Sequence, residues 1–215
     1  MLGCKNYQES EFLCWLLIQN LMSNGAVDIY VEITIGLVKV ITFILGPLVL
    51  ISYVYGVSHS QNPSGLWGGV PVSWQRYIIP FMFLAALGYV VYWWIVFYHL
   101  DALTVESFRW PWGESDGNGN SRLLFSFLLI LIPSAFWIES TIFHIENDYS
   151  WTPLLVIGLL LLVSVGNVML GLIAYSSYQD NISGSGYMLL GSIALGIQCI
   201  LNDLIIWSYK FPWSE

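Results

Sequence analysis

Glu139 and Asp203 are the residues best placed for chemistry, because each is a carboxylate set inside a long apolar run. An ionisable side chain within a membrane span costs a few kcal/mol and usually faces a protein interior. Each lies about six residues before the end of its run, roughly 9 Å below one membrane surface at 1.5 Å per residue. Two carboxylates at one depth in low dielectric cannot both ionise cheaply, so one is expected to keep its proton. That division supplies a general acid and a general base in one site. Glu139 is assigned as the acid and Asp203 as the base or counter-charge.

The elements that must hold these groups follow from composition. The chain has 215 residues, of which 57% are hydrophobic, 16% aromatic and 9% charged. Soluble domains carry about 25% charged residues, so a soluble enzyme, a disordered chain and a coiled coil are excluded. A net charge of −8 excludes nucleic acid as a partner through a basic patch. The expected fold is all-α, a polytopic membrane helix bundle.

A helix crosses the bilayer core with about 20 apolar residues. Five windows qualify: Ile33–Gly56, Arg76–Leu100, Ser121–Ile145, Pro153–Ser176 and Gly186–Tyr209. They are expected to form one transmembrane domain over residues 28–215. The N-terminal segment, residues 1–27, contains the shorter apolar stretch Phe12–Met22, which reads as an interfacial helix. Trp67, Trp74, Trp110, Trp112, Trp151 and Trp213 fall near window ends, as an interfacial aromatic belt requires. Five spans place the amino end on one side, A, and the carboxyl end on the other, B. Lys5, Arg109 and Arg122 then lie on side A and Arg76 and Lys210 on side B, a balance that does not orient the protein.

Polar residues within the windows point inward. At α-helical spacing Ser192, Gly196, Cys199, Asp203 and Trp207 share one face of the fifth window. Ser192 and Gly196 are a small-residue pair that permits close helix contact, and Gln198 and Asn202 form the adjacent stripe. Asn167 of the fourth window is level with Gln198, so a hydrogen bond between them is expected. Pro133 is expected to bend the third window. Lys39 is expected to snorkel toward side A beside Glu32.

Other chemistry is unsupported. His59, His99 and His144 stand at window ends and in loops, where solvated imidazoles are expected. No metal and no cofactor is expected. Asp116–Asn120 opens like a calcium loop, but Ser121 and Phe127 occupy the positions of the required Gly and Glu. A polar turn capping the third window is the expectation there. Cys4, Cys14 and Cys199 are widely spaced and read as small apolar fillers.

One group of motifs suggests relatives. Val163-Ser164-Val165-Gly166-Asn167, followed by Leu170-Gly171 and Ala174-Tyr175, resembles a run in the emopamil-binding protein family. Glu139 with Thr141, Asn202 with Trp207, and Trp74-Gln75-Arg76 are similar to further motifs of that family. The family comprises sterol isomerases and related sterol-binding proteins. The resemblance implies five spans, a sterol- or isoprenoid-like ligand, and site roles for Glu139, Thr141, Asn202 and Trp207. In a eukaryotic cell it implies the endoplasmic reticulum. The family's isomerases carry a His and a Glu in the second span, where this chain has Tyr89 and Trp93.

Two functions fit these residues. The first is a membrane protein that binds or converts a hydrophobic small molecule of isoprenoid or sterol type. Isomerase or cyclase chemistry would add a proton to an olefin and remove one elsewhere. Trp137 and Trp207 would stabilise the intervening cation by their ring faces. Asn167 and Asn202 would orient the substrate. The second is non-enzymatic: a proton-linked transporter, or an accessory subunit docked by helix–helix contact on a protein partner. The lipid bilayer is a partner in both.

Overall fold

The computed structural model describes residues 33–147 and 149–213. The Phe12–Met22 stretch and Glu32 lie outside the described residues. The chain is a helical, multi-pass membrane protein, with five helices long and apolar enough to cross a bilayer. In order these five are α1 (Ile35–His59), α2 (Val72–His99), α4 (Gly119–Asn147), α5 (Thr152–Gln179) and α6 (Ser185–Lys210), with the short α3 (Ala102–Glu106) between α2 and α4. No strand occurs among the described residues. The long helices have 25 to 29 residues, about 37–43 Å against a hydrocarbon core of about 30 Å. Their ends therefore overhang into the interface. Each expected window is present, with its ends shifted by one to four residues. Thr34 caps α1 by accepting from the Leu37 N–H at 3.3 Å. α2 starts directly after Pro71, whose fixed φ suits a helix entry.

Two stretches depart from α pitch. Ile95–His99 closes α2 as a π-turn, and Ile197–Trp207 runs as π-helix through the second half of α6. Hydrophobic periodicity does not announce either one.

Packing runs round the bundle in the order α1, α4, α5, α6, α2. α2 and α6 cross at glycine: a Cβ on Gly88 would sit 2.6 Å from the carbonyl oxygen of Gly191. This is the closest crossing of the pair, while Ser192 lies beside Gly171. α1 leans on α4 at Gly56, against Ile138. It meets α2 through long side chains. The Trp93 indole donates to the Thr42 hydroxyl at 2.8 Å, and Phe43 packs on the same ring.

The apolar core divides into two clusters. The larger, toward side A, contains Tyr92, Phe127, Leu170, Ile173 and Met188. The smaller, toward side B, contains Val70, Ile78, Val156, Leu160, Trp207 and Phe211, with Trp137 packed against it.

Each surface is closed by polar pairs. On side A, Arg109 holds Asp180 with two hydrogen bonds of 2.9 and 2.7 Å, and Arg122 holds Asp116 with two of 2.7 Å. The guanidinium in each pair holds its carboxyl below the usual carboxylate range. Asp116 also accepts from the Asn118 N–H, so this turn is a clamp at the start of α4, as a capping turn requires. On side B the carboxyl-terminal residues fold back over the bundle. Gly69 N–H donates to the Lys210 carbonyl at 3.1 Å and the Trp207 indole donates to the Leu66 carbonyl at 2.8 Å.

His144 corrects one expectation. It is 3% exposed instead of solvated, against the rings of Phe211 and Trp213. The Thr152 hydroxyl spends its single proton on the Tyr149 carbonyl at 2.6 Å. It must therefore accept from His144 Nδ1, 2.6 Å away, which assigns that nitrogen the proton. The other histidines stay at the periphery. His59 stacks on Tyr55 at 4.2 Å, and His99 Nε2 lies 3.1 Å from the Ser183 hydroxyl.

Candidate functional site: a polar layer in the bundle

The gap between the two apolar clusters is filled by polar side chains. Along α5 the change from one cluster to the other falls between Leu160 and Val163, with Ser164 directly after it and Asn167 one turn further on, before Leu170. Along α6, Met188 and Leu195 belong to the first and Trp207 to the second, with Gln198, Asn202 and Asp203 between. Ser164, Asn167, Gln198 and Asn202 are all buried. Buried polar groups in a span are retained where every donor and acceptor finds a partner or a ligand.

The π-helix sets the contacts of this layer. In an α-helix Gln198 would have residues three and four ahead on its own face. The wider turn also brings the residue five ahead under it. Gln198 Nε2 donates to Asp203 Oδ1 at 2.7 Å, while its Oε1 accepts from Asn202 Nδ2 at 3.0 Å. One amide thus ties Asn202 to Asp203. The Ser164 hydroxyl donates to the Leu160 carbonyl at 2.9 Å and lies 3.2 Å from that of Cys199, inside the π segment.

Asn167 does not pair with Gln198. Its amide fits the backbone of α6, donating to the Ser192 carbonyl at 3.2 Å and accepting the Gly196 N–H at 3.1 Å. The gap left beside Gly196 by its missing side chain is what admits this amide, since a Cβ there would lie 2.9 Å from the Asn167 side-chain amide group. Gln198 is occupied by its own helix instead.

Aromatic rings border the layer on side B. Trp137 and Trp207 meet edge to face, 5.3 Å between centroids, and Tyr53 of α1 lies 6.0 Å from Trp137. The Trp137 Nε1–H is buried and has no hydrogen-bond partner among the described residues. An orphaned buried donor costs about 1–3 kcal/mol, and a ligand acceptor would relieve it.

The expected site residues divide. Asn202, Asp203, Trp137 and Trp207 gather on or beside the layer, with Asp203 only partly buried. Asn167 is in the layer but engaged by backbone. Thr141 is 1% exposed and donates to the Trp137 carbonyl at 2.8 Å, so its hydroxyl is turned into its own helix. Glu139 is exposed, with its carboxylate beside Gly56 of α1. No hydrogen bond joins Glu139 to Asp203 among the described residues. Two residues separate Glu139 from Trp137, which is about 200° round the helix. Lys39 sets its ammonium 3.7 Å from the ring centroid of Tyr98, a cation–π contact near side A.

Tyr53 and Gln198 are the members that spacing did not single out. Gln198 was visible as part of a stripe, but its bridge to Asp203 needs the π pitch. Tyr53 carried no signal, because the face of α1 that meets α4 is set by tertiary packing.

Among the described residues no group of three metal-ligating side chains occurs. A search of protein families, of curated proteins and of solved structures finds no match to this chain.

Proposed function

We propose that the chain binds a hydrophobic, isoprenoid- or sterol-like molecule within the bilayer and presents Asp203 to its polar end. The observations that carry this reading are the Asp203 carboxylate held by Gln198 in the polar layer and, among the rings bordering that layer, the indole N–H of Trp137, which has no partner among the described residues. Asp203 Oδ1 is bonded to Gln198, and Trp137 supplies a donor that nothing among the described residues accepts. A ligand whose polar end both donates and accepts satisfies both, while its apolar body lies among Tyr53, Trp137 and Trp207.

The same carboxylate is the group available for proton transfer, oriented by the Gln198 amide. Ring faces of Trp137 and Trp207 stand where a developing positive charge would be stabilised. In this reading Asp203 acts at the ligand, and Glu139, outside the layer, does not share its site.

The test is photo-labelling of the purified chain in lipid nanodiscs with a photoreactive sterol and a photoreactive isoprenol. Labelled peptides are expected from the second half of α6 and from the Trp137 region of α4. Asp203→Asn is expected to reduce labelling about tenfold, the scale of a lost hydrogen bond to a charged group. Labelling spread evenly over the outer faces of α1 and α5, unchanged by Asp203→Asn, would refute the reading.

A further inference from the structure

We propose that Ser183 and His99 form a nucleophile–base pair on side A that cleaves carboxylic esters of lipophilic acids. The two residues come from different spans. His99 closes α2 and Ser183 stands two residues before α6, so the pair sits where the bundle meets side A. His99 Nε2 is 3.1 Å from the Ser183 hydroxyl, within the reach a general base needs to take its proton. Both residues are exposed. The Ser183 hydroxyl has no other partner among the described residues. That sets it apart from serines such as Ser126, Ser164, Ser177 and Ser192, whose protons go to carbonyls of their own helices. Ser58 also lies 3.1 Å from an imidazole, at His59 Nδ1, but it donates to the Tyr55 carbonyl at 2.8 Å.

Each half of the pair is positioned by a departure from regular helix. His99 ends the π-turn Ile95–His99, a form that is rare and concentrates at functional sites. Ser183 sits in a turn bracketed by two left-handed residues, Asn181 at φ 55° and Gly184 at φ 84°. The Ile182 carbonyl fixes this turn by accepting the Ser185 N–H at 3.2 Å and the Ser185 hydroxyl at 2.5 Å. Gly184 has a second reason to be glycine. A Cβ there would lie 3.0 Å from Ile95 and 3.1 Å from His99 Cδ2, so bare backbone is what lets the imidazole reach Ser183.

The same turn offers donors to the oxygen that becomes charged in acyl transfer. The N–H groups of Ser183 and Gly184 make no backbone hydrogen bond among the described residues. Acyl-transfer sites hold the tetrahedral oxyanion with the N–H of the nucleophile or of the residue after it. The surroundings select the ester. A side-A cavity of about 600 Å³ has Arg109, Glu114, Asp180 and Ile182 in its walls, and Ile182 directly precedes Ser183. These polar walls suit the alcohol half of an ester. The first turns of α6 present Tyr187 and Leu190, each 64% exposed, where a fatty acyl chain would lie.

The reaction needs only water besides the ester. His99 Nε2 takes the Ser183 proton as Oγ bonds to the carbonyl carbon. The bond from that carbon to the alkoxy oxygen then breaks, and the departing alcohol takes its proton from His99. Water, losing a proton to His99, attacks the acyl-Ser183 ester. The fatty acid leaves, and the proton returns to Ser183 Oγ.

The experiment is reaction of the full chain in lipid nanodiscs with a fluorophosphonate probe, which reports activated serines, with the site mapped by mass spectrometry. Labelling is expected at Ser183, not at Ser58, and is expected to vanish in Ser183→Ala. His99→Gln keeps a hydrogen-bonding side chain at the turn but removes the base, so labelling is expected to slow about a hundredfold. Circular dichroism confirms that each variant is helical. Nitrophenyl esters are expected to be cleaved faster as their acyl chain lengthens. The proposal is overturned by an unlabelled wild type, by labelling that persists in Ser183→Ala, or by His99→Gln reacting at the wild-type rate. Fastest cleavage of the acetate ester overturns the assignment to lipophilic acids. Photo-labelling at the polar layer is read separately, so this proposal and the ligand-binding reading fail independently.

Discussion

Gln198 and Asp203 are joined at 2.7 Å across five residues of α6, a contact that the π-helix between them makes possible. π-helical turns are uncommon and concentrate at functional sites. Here the wide turn turns an amide onto a carboxylate within the membrane, and the Ser164 hydroxyl approaches a carbonyl of the loosened stretch. Local geometry and the candidate chemistry coincide in one segment.

Replacing Gln198 with Met keeps its length and removes both hydrogen bonds. Asp203 then loses its donor and Asn202 its acceptor. Ligand labelling should fall, and the melting temperature in detergent should drop by a few degrees, since intramembrane hydrogen bonds are worth about 0.6 kcal/mol on average. Unchanged labelling would show that the carboxylate is positioned by something else.

The α2–α6 crossing depends on two facing glycines. Gly88→Ala puts a methyl group against the Gly191 backbone, where neither side can yield by rotating a side chain. Separation of the helices should cost roughly 1–3 kcal/mol, measured as a shift in denaturant-induced unfolding. Gly158→Ala, at a site where a Cβ meets nothing within 4 Å, is the matched control and should leave stability unchanged.

The side-A pairs predict the acid limb of stability. Arg122 and Arg109 depress the carboxyls of Asp116 and Asp180 in the folded state. A depressed carboxyl stabilises the fold above its unfolded pKa, and that contribution fades as pH falls through the folded value. Melting temperature should therefore be flat with respect to these pairs from neutrality down to about pH 4 and decline below it. Arg122→Met should flatten part of that decline, and high salt should weaken it because both pairs are exposed enough to be screened.

Thr152→Val should strand the His144 Nδ1–H in a buried site, at a cost of about 1–3 kcal/mol. His144 is packed against Phe211 and Trp213, so the loss should also loosen the carboxyl-terminal residues. Faster proteolysis after Lys210 in the variant is the readout. An identical digestion rate would mean that the aromatic contacts alone hold this end.

Much of the fold was legible because lipid imposes a simple rule: about 20 apolar residues per span, with backbone bonds closed inside the helix. The five windows followed from that rule. Three features did not. The α periodicity that ordered Ser192 through Trp207 fails where α6 widens, so Gln198 was placed beside Asp203 and not onto it. His144 was read as solvated because it ends a window, whereas residues beyond Lys210 return to cover it. Glu139 and Asp203 matched in depth, but depth carries no information about rotation, and Glu139 is turned outward.

The most direct test of the account is native mass spectrometry of the chain released from its own membranes, comparing wild type, Asp203→Asn and the off-site variant Asp101→Asn. The account predicts a retained hydrophobic small molecule on the wild type and on Asp101→Asn, and its loss from Asp203→Asn. Equal retention by all three, or retention by none, would contradict it.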